Sequence, residues 1–185
     1  MNRLASTPLS ALDVVPQRAG GTSAEALQEA LDYGRELDRL GFHRMWLAEH
    51  HNLTGVASSA TAVLIGQVAA VTRGLRVGAG GIMLPNHAPL VVAENFGTLE
   101  ALFPGRIDLG LGRAPGADLE TMHALRRGPA DADSFADQVA QVQALLGPDT
   151  PGQHVRAVPG VNCRPPRPAS ARRLNNCSHR PARTS

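Results

Sequence analysis

The chain has 185 residues, 43% of them apolar, which is enough for one soluble domain with a real core. No apolar stretch approaches the span of a membrane helix, and Met1 to Val15 lacks the basic-then-hydrophobic order of a secretory signal, so a cytoplasmic protein is expected. The formal charge of +2 conceals an uneven distribution: residues 161–185 hold six arginines and no acid, and without them 12 basic face 16 acidic residues, a formal −4.

That last stretch also holds both cysteines, Cys163 and Cys177, so residues 1–160 contain neither a disulfide framework nor a thiol nucleophile. Rich in Arg and Pro and almost free of large apolar residues, 161–185 cannot build a core. A basic arm for nucleic acid is one reading of it. We favour a shifted reading frame: the chain has no lysine, as expected of a GC-rich gene, and misread GC-rich codons yield Arg, Pro and Ala. Nucleic-acid binding has no aromatic support, since Trp46 and Tyr33 are the sole residues of their kinds.

In chain order, strands are predicted to begin near Leu9, Met45, Val77 and Ile107, steps of 36, 32 and 30 residues. This is the rhythm of βαβ units with a parallel sheet. The first helix opens on a capping box, Thr22 with Glu25, buries Leu27, Ala30, Leu31, Gly34 and Leu37, and stops at Gly41. The second, about 59–72, is apolar nearly all round, which predicts cover on more than one side; a contact with another copy of the chain or a small-residue core would supply it. The third opens at Pro89 and ends before Pro104-Gly105, and a fourth runs from about Ser134 to Leu146. Four strands and four helices result. A closed (β/α)8 barrel takes about 250 residues, so residues 1–160 read as its N-terminal half, a TIM-barrel type of α/β chain with the edges of its first and last strands unpaired.

Three strand ends carry chemistry. Glu49-His50-His51 closes an apolar run, where a carboxylate and imidazoles can move a proton and Glu49 can fix which ring nitrogen carries the hydrogen. Neighbouring side chains on a strand point to opposite faces, which argues against both histidines holding one metal, and no metal site is expected. A purely structural loop role is the alternative. Glycines 78, 80 and 81 in the third strand suggest a bulge, or a place where a flat ligand meets backbone, or a tight barrel bend. Pro85-Asn86-His87-Ala88-Pro89 then leads into a helix N-terminus, where free amides favour an anion. Gly110 and Gly112 in the fourth strand do not complete a dinucleotide fingerprint. Arg113 just beyond them has the forked donor set of a phosphate clamp, or is a solvated loop arginine.

Together, Trp46-Leu-Ala-Glu-His-His51, Val77-Gly-Ala-Gly-Gly-Ile-Met-Leu-Pro85 and Pro104-Gly-Arg-Ile-Asp-Leu-Gly-Leu-Gly-Arg113 resemble, in order and spacing, the bacterial luciferase-like flavin-dependent monooxygenases over about residues 5–160. The resemblance is to an uncharacterised luciferase-like branch, not the light-emitting subunits, because Gly112 stands where those have a reactive cysteine.

The resemblance implies a TIM barrel holding reduced flavin (FMN) at its C-terminal mouth, supplied by a separate flavin reductase and used with O2 on a small organic substrate. It places the catalytic acid/base on His50 with Glu49 beside it. It places the cofactor against Ala79, Gly80, Gly81 and Asn86, with a non-proline cis peptide at Gly80-Gly81, and the phosphate on Arg113. A homo-oligomer through helix 59–72 is expected, with no nucleic-acid or membrane partner. The enzymatic alternative is a deazaflavin-dependent hydride-transfer enzyme on the same fold; the non-enzymatic one is a flavin-binding or assembly fragment. The strand-five and strand-six groups that complete the pockets are not among these residues, so weak or absent binding of reduced FMN and an inactive chain are expected.

Overall fold

The computed structural model describes residues 7–114, 118–127, 134–148 and 150–160; the Arg/Pro-rich stretch, and the frame shift read from it, lie outside them. Four parallel strands, β1 (Ser10–Asp13), β2 (Arg44–Leu47), β3 (Arg76–Met83) and β4 (Ile107–Gly112), form one sheet in the order β1-β2-β3-β4. The connecting helices are α1 (Ser23–Arg39), α2 (Thr61–Val71) and α3 (Pro89–Leu102), followed by α4 (Leu119–Ala124) and α5 (Phe135–Leu146).

The local signals act as expected at α1. Thr22 Oγ1 accepts from the Glu25 amide at 3.2 Å while the Glu25 carboxylate accepts from the Thr22 amide at 2.7 Å, and Gly41 leaves the helix at φ +74°. Helix α2 starts two residues later than expected, at Thr61, because Ala60 offers no capping side chain and the Thr61 hydroxyl instead donates to the Ala48 carbonyl. Its apolar residues are not covered all round: Leu64, Ile65, Val68 and Ala69 are buried but Val63 is 64% exposed. The four-helix expectation is corrected by α4, a six-residue helix capped by Asp118, whose carboxylate accepts from the Thr121 amide at 2.7 Å. It is too short to show an apolar period.

Strand pairing aligns Ala11, Met45, Val77 and Ile107 in one row and Leu12, Trp46, Gly78 and Asp108 in the next. The first row faces the helices and joins Leu37, Ile65, Val68, Phe96, Leu99 and Val142 in one core. The second row faces away from the helices. There Asp108, 3% exposed, accepts from Arg44 at 2.5 Å and from Arg76 at 2.6 Å, and the Arg44 guanidinium lies 4.8 Å over the Trp46 ring. Leu12 on this face is 61% exposed. An added Cβ at Gly78 would lie 2.5 Å from the Asp108 carbonyl oxygen and 2.8 Å from Trp46, so glycine is what lets β2, β3 and β4 approach here.

No helix of the described residues is long and apolar enough to cross a membrane.

Candidate functional site

In a parallel sheet every strand delivers its C-terminal end to the same edge, and that edge gathers the sequence-predicted residues. Leu47 pairs with Ala79, and Met83 pairs with Gly112, so His50, three residues past β2, Gly80-Gly81, just past the Leu47 pair, and Arg113, one past β4, share this end of the sheet. The loop after β2 is held by the loop after β1: Ala48 N–H donates to Asp13 O at 3.0 Å, Ala57 N–H to Val15 O at 2.9 Å and Gln17 N–H to Gly55 O at 2.7 Å. Val15 itself is fully buried at φ +54°, a conformation a β-branched residue rarely adopts.

The pairing of β3 with β4 shifts between Ala79 and Ile82, a bulge, and the Gly80-Gly81 peptide within it is cis. Backbone contact at this point is close. An added Cβ at Gly81 would lie 2.8 Å from Gly110 O, and one at Gly110 would lie 2.5 Å from Ala79 O. Gly80 is exposed, Gly81 half-buried. Ala79 is fully buried with its side chain on the helix side, so only its backbone is available to a ligand, and Asn86 sits 9% exposed in the 3-10 turn Leu84–Asn86.

The Glu49 carboxylate holds imidazole nitrogens of His51 and His87. It is 1% exposed and its Oε1 accepts from His51 Nε2 at 2.8 Å and His87 Nε2 at 2.7 Å, while Oε2 accepts from the Met83 amide at 3.0 Å. Burial is the largest influence on this carboxyl and pushes its pKa up. The hydrogen bonds from His87 and His51, the His87 charge and the Met83 amide together outweigh it, and hold the group below the ordinary glutamate value. Glu49 is therefore a carboxylate at neutral pH.

Alternation explains the partner: in extended chain, residues i and i+2 share a side, so Glu49 meets His51 and His50 turns the other way. His50 is half-buried; its amide donates to Ser58 O at 3.0 Å, and its Nδ1 is buried without a hydrogen-bond partner. The Ser58 hydroxyl, fully buried, also has none. A buried nitrogen of this kind is open to a ligand or a water.

His87 was not among the predicted site residues. Its signal was a histidine placed just after β3, beside the end of β2. His51 and His87 have ring centroids 6.4 Å apart, and with Glu49 they bring three potential ligand atoms within 4.8 Å of one another. His123 and His154 lie apart from them, in α4 and in the loop after α5, and His179 falls outside the described residues.

The arrangement can hold an anion with Arg113, present exposed glycyl backbone to a flat ring, and move a proton at His50. The luciferase-like monooxygenase family profile matches residues 9–178. A luciferase-like monooxygenase of Escherichia coli (strain K12) is 55% identical over 152 residues, covering 82% of this chain and 45% of that protein. The crystal structure of apo-MsnO8 is 42% identical with a TM-score of 0.76, over 86% of this chain and 46% of the other. The fold alone is shared with a Baeyer-Villiger monooxygenase in complex with FMN (18% identity, TM-score 0.64, 72% of this chain and 38% of that one) and with an F420-dependent secondary alcohol dehydrogenase (19%, 0.62, 78% and 43%). The chain thus spans about half the length of the proteins it matches, and over that span it belongs to the luciferase-like monooxygenase family.

Proposed function

We propose that this chain provides the N-terminal half of a (β/α)8 flavin-dependent monooxygenase site, with reduced FMN lying across the C-terminal edge of the sheet. The carrying observation is that His50, the bulged Gly80-Gly81 segment and Arg113 come together at that one edge. The residues suit a flavin. Gly80 leaves a backbone surface open for a planar ring, the orphaned His50 Nδ1 is a polar atom that a bound group would satisfy, and Arg113 is a fork for phosphate oxygens.

Reduced flavin, when bound, supplies the electrons with which O2 is turned on an organic substrate. The chain's part is positional. Glu49 fixes His51 and the turn at His87, leaving His50 to hold or move a proton. A separate reductase delivers the flavin, and helix α2, with Val63 exposed, carries the contact with a second copy.

The test supplies reduced FMN with O2, and separately reduced deazaflavin without it, and follows oxygen uptake and substrate oxidation or reduction. Oxygen-dependent turnover lost in His50→Ala supports the reading. Anaerobic turnover with deazaflavin alone assigns the site to hydride transfer, and turnover indifferent to His50→Ala removes the histidine from the chemistry.

A further inference from the structure

We infer that Glu49, His51 and His87 form a binding site for a first-row divalent cation, with zinc the best-suited ion. The three residues come from two places, the loop just past β2 and the turn after β3, and both imidazole Nε2 atoms converge on a single carboxylate oxygen. The second oxygen is held by the Met83 amide, which fixes the carboxylate plane.

Two neutral imidazoles and one carboxylate make a donor set of the type zinc takes, and the matching of nitrogen and oxygen ligands excludes the oxygen-only preference of calcium and magnesium. Glu49 is 1% exposed, so its oxygens sit in a water-poor position.

The geometry needs a small adjustment. Metal bonds of about 2.0–2.2 Å place tetrahedral ligand atoms roughly 3.3–3.6 Å apart. The 2.8 and 2.7 Å hydrogen bonds therefore open slightly, and the widest separation, within 4.8 Å, closes. Rotation of two partly exposed rings, 17% and 30% accessible, accomplishes both. A metal would take the unprotonated Nε2 of each ring, which leaves Nδ1 as the protonated nitrogen.

A further coordination position has room. A cavity of about 190 Å³ between α2 and α3 is lined by Glu49 and His87 together with Thr61, Asn95 and Phe96. Two of the three ligands thus border open space, and three protein ligands with one position left for water or a small ligand is a known zinc arrangement.

The test uses the full chain with Cys163→Ser and Cys177→Ser, which removes thiols as competing ligands. Equilibrium dialysis against zinc chloride is expected to give one ion per chain, with affinity falling roughly tenfold to hundredfold or more in Glu49→Gln, His51→Gln and His87→Gln separately and unchanged in His123→Ala. Cobalt(II) should give visible ligand-field bands that the same three variants abolish. Circular dichroism verifies that each variant is folded, and any single folded variant of the three suffices. Absence of zinc binding, or binding unaffected by a folded variant of the three, overturns the inference. Because no flavin is present, that failure leaves the monooxygenase reading intact.

Discussion

Removing the Glu49 carboxylate is the perturbation with the largest effect worked from this structure. Glu49→Ala deletes three hydrogen bonds to a charged, 1% exposed acceptor, orphaning the Met83 amide and two imidazole N–H groups. Breaking one side of a buried charged network costs about 3–5 kcal/mol. At roughly 2–4 °C per kcal/mol for a domain of this size, the melting temperature falls by about 6–20 °C. Glu49→Gln behaves differently, because it keeps the volume. Its oxygen can face the Met83 amide while its NH2 donates to His51 and His87 in their other tautomers, so it costs about 1–2 kcal/mol. Urea and thermal melts at pH 7, with a chelator present to exclude metal, measure both. An alanine variant within about 1 kcal/mol of the parent, or a glutamine variant as damaged as the alanine one, would refute the network as described.

The same carboxylate sets an acid limb. Its folded pKa is lowered, so its contribution is fully present above the unfolded value of about 4.3 and is lost as pH falls through the folded one; urea melts across this range should lose stability more steeply in the parent than in Glu49→Gln. Asp38 accepts from the amides of Arg73, Gly74 and Leu75 at 2.8, 3.0 and 2.7 Å, clamping α1 to the entry of β3, and Asp38→Ala should cost about 1–2 kcal/mol in the same melts, Asp38→Asn less. Gly34→Ala should destabilise by about 1–3 kcal/mol despite the better helix propensity of alanine, because the new Cβ would lie 2.8 Å from Val68 Cγ1 across the α1–α2 contact; a gain in stability would show that the two helices separate freely.

The parts of the fold legible in the sequence are those set by neighbours in the chain. The Thr22–Glu25 capping box, the positive-φ stop at Gly41 and the Pro89 start of α3 need only a few residues to specify them. The spacing of the strands conveyed the parallel order, and the three glycines of β3 announced the bulge. What stayed hidden depends on long sequence separations. The Glu49–His87 pair spans 38 residues, and the Arg44–Asp108 pair spans 64. Nothing local distinguishes these side chains from solvated ones. Two-residue alternation in extended chain places Glu49 with His51, while its second imidazole partner, His87, is set only by the fold. At Ala79 the strand pairing, not the residue itself, decides that only backbone can reach a ligand.

The most direct measurement of the central claim is an amide chemical-shift map of the ¹⁵N-labelled chain titrated anaerobically with reduced FMN, which registers weak binding as readily as tight. The account predicts perturbations concentrated at Ala79, Gly80 and Gly81, at His50 and Ser58, and at Arg113, weakened in Arg113→Ala. Shifts confined to the cleft between β1 and α1 around Arg18, Ala26 and Tyr33, or no shifts at saturating FMN, would contradict it.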